Sequence, residues 1–210
     1  MISISGIKYQ KELETLPFFS KQSASILIGK ESKNLDKKLA QLTRIGYLKT
    51  LKKGVYVTSA YIDTVDKEPY FEYLANILRA PSYISAEYVL AKEGLIPESV
   101  FCVTSITTKS SRNYSNKVGS FNYRSIKASL FVGYKEKEWQ GNIIYIATKA
   151  KALFDYFYFK RFKNFDQDIY DFRINWNNFT KKDLIEFNKY VNLTQGPKMS
   201  KVLKHIAKLC

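Results

Sequence analysis

The stretch Gly46-Tyr47-Leu48-Lys49-Thr50-Leu51-Lys52-Lys53-Gly54-Val55-Tyr56-Val57 decides how this chain is read. Two short β-prone pieces, Tyr47 to Leu51 and Val55 to Thr58, flank a turn containing Gly54, so a hairpin with lysines at its tip is expected. Immediately upstream, from about Asn34 to Ile45, Leu35, Leu39, Leu42 and Ile45 recur at helical spacing, with Lys37, Lys38, Gln41 and Arg44 on other faces, and Gly46 ends the run. Before that, Ser20 suits the N-cap of a helix in which Ala24, Leu27 and Ile28 share a face ahead of Gly29. Tyr9, Leu13 and Leu16 mark a short first helix closed by Pro17. Three helices running into a basic hairpin predict a winged helix-turn-helix over residues 1–60.

The residue types give such a module a task. A helix fits the major groove of a duplex, where Lys33, Lys37, Lys38, Gln41 and Arg44 can meet base edges and phosphates. Lys49, Lys52 and Lys53 suit a grip on phosphate or the minor groove, which positions a protein without reading much sequence. Residues 1–60 hold eleven Lys or Arg against four Asp or Glu, a net +7 out of the +15 of the whole chain. That excess steers toward polyanions without naming one. Winged helices also serve as RNA-binding or protein-protein modules, lysines on a small helical domain often form only a solvated face, and Arg44 can simply offset the helix dipole.

Downstream the chain changes character. Ala60 to Glu68 is polar enough for a linker, and residues 68–210 predict a mixed α/β domain with a small sheet and C-terminal helices, making the whole chain α+β. Helices are expected over 69–78 and 85–93, then strands over 101–108, 121–126, 129–134 and 142–147. Thr148 suits the cap of a long helix reaching about Tyr158, with Asp155 isolated among aromatics, and further helices are expected over 181–190 and 200–209. Arg112, Lys117, Arg124, Lys149, Lys151, Lys160, Arg161 and Lys163 form a second basic area suited to flanking DNA, RNA or an acidic partner. Residues 174–210 carry seven lysines against two acids, with Val202, Leu203 and Ile206 as a stripe opposite them.

With 210 residues, 45% of them hydrophobic, and only five prolines and nine glycines, the chain has the composition of a folded protein throughout. Cys102 and Cys210 predict neither a disulfide framework nor a metal knot, and no apolar run approaches a membrane span, so a soluble cytoplasmic protein without membrane contact is expected. His205 is the only histidine and sits among lysines, which disfavours an acid or metal ligand. Asp166, Asp168 and Asp171 are the nearest thing to a metal cluster, and a metal-dependent nuclease recruited by the winged helix is the alternative to a pure binding protein. They lack an evident distant carboxylate partner, so neither catalysis, cofactor nor metal is expected. Asp155 reads as a satisfied buried acid.

Several blocks in order resemble the AbiEi family of antitoxins: residues 46–57, then Pro81-Ser82-Tyr83-Ile84-Ser85, Gly94-Leu95-Ile96-Pro97-Glu98, Val103-Thr104-Ser105-Ile106-Thr107-Thr108-Lys109, Gly119-Ser120-Phe121-Asn122-Tyr123, and Ile146-Ala147-Thr148-Lys149-Ala150-Lys151-Ala152-Leu153-Phe154-Asp155. The resemblance covers roughly residues 20–158. It implies a type IV toxin-antitoxin, or abortive infection, system whose antitoxin represses its own operon through the winged helix. It further implies double-stranded operator DNA, with inverted repeats, and a nucleotidyltransferase-like toxin as partners, residues beyond about 68 serving neutralisation. One departure stands out: members of the family often have Pro-Glu-Lys at the start of the long helix, where this chain has Lys149, Ala150 and Lys151.

Overall fold

In the computed structural model, which describes residues 6–194 and 196–209 apart from the side chain of Asp166, the first helices follow from capping chemistry and apolar spacing. Cys210 lies outside the described residues. Helix α1 (Gln10–Glu14) buries Leu13, and strand β1 (Phe19–Ser20) leads into α2 (Lys21–Ile28). The Ser20 hydroxyl oxygen accepts the Ser23 N–H at 3.0 Å, and Gly29, with φ 74°, closes α2 in the left-handed conformation that a side chain disfavours. Helix α3 (Ser32–Arg44) turns Leu35, Leu39 and Leu42 into the core. It leads to a hairpin of β2 (Leu48–Lys52) and β3 (Val55–Thr58) around Gly54, whose φ is 76°.

β1, too short to be seen in the sequence, pairs antiparallel with β3, giving the sheet order β1-β3-β2. Phe19 lies across from Tyr56, with ring centroids 6.0 Å apart. The leucines of α3 join Leu13, Phe19 and Leu48 in one apolar cluster. Each such side chain contributes about 1.5–3 kcal/mol on burial, so this cluster is what holds helices and hairpin together. The order of elements and the strand pairing are compatible with the expected winged helix-turn-helix.

The expected linker over 60–68 is helical instead. Helix α4 (Ser59–Thr64) forms because the Thr58 hydroxyl oxygen accepts the Tyr61 N–H at 3.1 Å, a cap that outweighs the polar composition of the stretch. Helix α5 (Lys67–Leu78) follows. The first compact unit therefore runs to Tyr70 rather than ending at 60, and it also takes in Tyr114–Gly119 from later in the chain. There the Asn116 amide donates to the Leu51 carbonyl at 2.8 Å, and its Oδ1 accepts the N–H groups of Val118 and Gly119.

The second unit spans 71–113 and 120–210. Its elements are β4 (Ser82–Ile84), α6 (Ala86–Lys92), β5 (Val103–Thr107), the first half of β6 (Arg112–Ser115), β7 (Ser120–Ser125), β8 (Tyr134–Trp139), β9 (Asn142–Ala147), α7 (Lys149–Phe159), α8 (Phe165–Asp171), α9 (Lys181–Thr194) and α10 (Pro197–Ile206). They build a mixed sheet in the order β6-β7-β5-β4-β9-β8, with β4/β9 and β5/β7 parallel. Residues 129–134, expected as a strand, start with a 3-10 turn over Ala128–Leu130, and the strand begins only at Tyr134. The stretch that holds Asp166, Asp168 and Asp171 is helical, forming α8.

Alternation along the strands sends side chains to helices on both faces. On one face Tyr123 donates its hydroxyl to the Ala75 carbonyl of α5 at 2.6 Å, and Lys137 reaches Glu72. On the other, Tyr83 donates to Asp155 of α7 and Arg124 pairs with Glu87 of α6. Thr148 caps α7 as expected, accepting the Lys151 N–H at 3.2 Å.

Candidate nucleic-acid interface

At 100° per residue, Lys33, Lys37 and Arg44 fall on one stripe of α3, opposite Leu35, Leu39 and Leu42. All three are exposed, and so is Gln41 at the edge of the stripe. Lys38 lies nearer the core side and is half-buried, with its Nζ 3.6 Å from where a Cβ on Gly6 would stand. The helix therefore carries four cations and one acid, Asp36, most of the positive charge pointing outward.

Between α3 and the hairpin sheet runs a groove enclosing a cavity of about 450 Å³, lined by Asp36, Ala40, Thr43, Arg44, Thr50 and Tyr56. Strand register explains the sheet side of this lining. Thr50 stands across from Tyr56, while Lys49 stands across from Val57 and, after a register shift, Lys52 across from Val55. Side chains alternate along a strand, so Lys49 points away from the groove that Thr50 and Tyr56 line, and the bulge that sets Lys52 across from Val55 puts Lys52 on the same face as Lys49. Lys49 Nζ instead lies 4.0 Å from the Cβ position of Gly46, beside the C-terminal end of α3, where a cation offsets the unpaired carbonyls. Lys53, exposed in the turn next to Gly54, is the hairpin lysine that no strand register commits to a face.

Of the eight positions expected from sequence, four share the accessible outer surface of α3, namely Lys33, Lys37, Gln41 and Arg44, and Lys53 is exposed at the hairpin tip. Lys38 flanks that surface, and Lys49 and Lys52 turn from the groove. Other residues come forward. Asp36 forms an ion pair with Lys21 at 2.5 Å, tying the first turn of α2 to the groove side of α3. Lys8, Lys30 and Asn34 border a cavity of about 570 Å³ near the start of α3. The alternation running out from the Gly54 turn was the available signal for Thr50 and Tyr56. For Lys8 and Lys30, which belong to other segments of sequence, there was none.

Part of the second basic area is committed to internal contacts. Lys151 and Asp155 are both fully buried and paired at 2.8 Å. Lys151 also donates to the Leu130 carbonyl at 2.9 Å, and Asp155 accepts from Tyr83 at 3.0 Å and Ser85 at 2.7 Å. Burial pushes the Asp155 carboxyl up and the Lys151 ammonium down, each opposed by the charge of the other. Lys151 therefore belongs to the core and not to a binding surface. Its spacing, four residues before Asp155 on one helix face, was the available signal. Lys149 donates to the Asn178 carbonyl, and the Lys160 ammonium lies 4.6 Å from the Tyr156 ring centroid.

Two of the three aspartates have described side chains. Asp168 accepts the backbone N–H groups of Lys163 at 2.6 Å and Asn164 at 3.2 Å, holding the start of α8, while Asp171 is exposed. The side chain of Asp166 lies outside the described residues. Among the described residues no three His, Cys, Asp or Glu side chains stand together to hold a metal, and no helix is long and apolar enough to cross a membrane. The chain matches no model of a known protein family, and no curated protein matches it.

Proposed function

We propose that this chain is a DNA-binding transcriptional repressor that also acts as the antitoxin of a type IV toxin-antitoxin system, as its resemblance to the AbiEi family implies. The observation that carries the reading is the outer stripe of α3, where Lys33, Lys37 and Arg44 stand opposite the leucines beside an open groove. A helix with that face fits the major groove, its lysines meeting phosphates and Gln41 within reach of base edges. Lys53 at the hairpin tip adds a phosphate contact to the flank.

In this reading the protein works by occupancy, in the cytoplasm, without catalysis or cofactor. It covers an operator of inverted repeats and so controls its own operon, while residues beyond about 68 counter a nucleotidyltransferase-like toxin in defence against phage. The role of Asp168 at the start of α8 supports the binding reading over the nuclease alternative.

The test is a reporter driven by the DNA upstream of the protein's own gene. The wild type is expected to repress it, and the Lys37→Ala/Arg44→Ala double variant to release it while still protecting cells from the toxin encoded beside it. Equal repression by both proteins contradicts the assignment of α3, and failure of the wild type to protect contradicts the antitoxin role.

A further inference from the structure

We propose that the second unit holds a binding site for an organic cation, a guanidinium or alkylammonium group on an apolar body, in the cavity at the β8–β9 end of its sheet. The site goes beyond the repressor reading and does not depend on it. The cavity measures about 730 Å³, and Phe131, Tyr134, Glu136, Ile143 and Tyr145 contribute to its lining. That volume lies within the range of small-molecule sites.

Strand pairing assembles it. Glu136 stands across from Tyr145 and Glu138 across from Ile143, and Tyr134 lies two residues before Glu136, so these side chains share one face. Lys135 and Lys137 alternate to the other face, where Lys137 is held by Glu72 at 2.8 Å. β4 begins only at Ser82, leaving the early part of β9 without a full strand neighbour. Next to the pairing of Ile84 with Ile146, Asn76 accepts the Tyr145 N–H at 2.9 Å. The cavity opens beside this break in the sheet.

Its walls are aromatic and its charge negative. Tyr134 stacks on Tyr83 with centroids 4.8 Å apart and 18° between the planes, while Phe131 and Tyr145 lie tilted and edge-on to Tyr134. Tyr83 in turn has the Lys151 ammonium 5.8 Å from its centroid. One face of Tyr134 is therefore used in the core, and the ring is still 37% exposed. Glu136 and Glu138 are exposed and enter no ion pair among the described residues, although the chain has 34 Lys and Arg against 19 Asp and Glu. Lys109, beside the lining residue Ala80, donates to the Ala80 carbonyl at 2.6 Å. Aromatic faces attract a cation through their quadrupole, and unpaired carboxylates beside them add charge and select against anions. Exposed Ile143 supplies apolar surface for the body of the ligand.

The test follows amide chemical shifts of the full-length protein during titration with arginine methyl ester, with urea as the neutral planar control and benzoate as the aromatic anion. A capped Ala-Arg-Ala peptide distinguishes a free cation from a side chain of a partner polypeptide. Saturable shifts confined to residues 76–82, 131–136 and 143–145 are expected for the ester or the peptide alone, and the tighter of the two identifies the source. Glu136→Gln, a surface change that leaves the fold intact, is expected to weaken binding about fivefold, and Tyr134→Leu about tenfold, as loss of a charge partner and an aromatic face predicts. Absent shifts up to about 20 mM ligand, a regime that covers even weak binding, overturn the proposal. So do equal shifts with urea or benzoate, or binding that Glu136→Gln leaves unchanged.

Discussion

Asp155 and Lys151 show how a single residue decides between packing and function. Both are fully buried, and their pairing is completed by the hydroxyls of Tyr83 and Ser85 and by the Leu130 carbonyl. Removing one partner leaves an uncompensated charge, so Lys151→Met is expected to destabilise the second unit by about 3–5 kcal/mol, read by denaturant unfolding. Glu72 is the second buried acid, paired with Lys92 at 2.5 Å and Lys137 at 2.8 Å. Burial pushes its carboxyl up, but hydrogen bonds and charge from the two lysines outweigh that and hold it below its ordinary value of 4.5. A lowered folded-state value stabilises at pH above the ordinary one, and the gain is lost as pH falls through the lowered value. Glu72→Gln is therefore expected to be less stable than wild type at neutral pH, with a flatter stability profile below pH 4.5. Parallel profiles measured by thermal unfolding at each pH contradict the pairing. Asp155 was legible in the sequence as a satisfied acid. Its partner was legible only through the four-residue spacing on one helix face, since a lysine among aromatics otherwise reads equally well as a surface cation.

At the scale of elements, periodicity carried the reading where runs were long. The leucines of α3, the Ser20 and Gly29 boundaries of α2, the hairpin about Gly54 and the Thr148 cap of α7 all stand where the sequence predicts them. Elements of two to four residues escaped, namely β1, β4 and β6, because so few side chains show no period. Register is the other thing composition hides. Lysines 49, 52 and 53 look alike in sequence, yet pairing sends the first two away from the groove and leaves the third in the turn. Lys53→Ala is accordingly expected to lower the slope of log affinity against log salt by roughly one phosphate contact, and Lys49→Ala to leave it unchanged. A mobility assay across salt concentrations checks this, and the reverse ranking rules out the strand register as the basis of the interface.

For the whole molecule, the division into two units departs from a simple linear order, because Tyr114–Gly119 belongs with the first seventy residues. Asn116 holds this segment through Leu51, a contact separated by 65 residues that no local pattern foretells. Asn116→Ala is expected to cost about 1–2 kcal/mol and to speed hydrogen exchange at the β2–β3 amides while sparing β5 and β7. Uniform acceleration through both units contradicts the assignment. The +15 charge gives the molecule a long-range attraction for polyanions, and the α3 stripe arranges part of it on one exposed helix face. The most direct measurement is fluorescence anisotropy of the full-length protein with a labelled duplex of its own upstream region, across salt, for wild type and a Lys33→Ala/Lys37→Ala/Arg44→Ala variant. The account predicts tight, salt-dependent binding by the wild type and a slope shallower by roughly three phosphate contacts in the variant. An unchanged slope and affinity in the variant contradicts it.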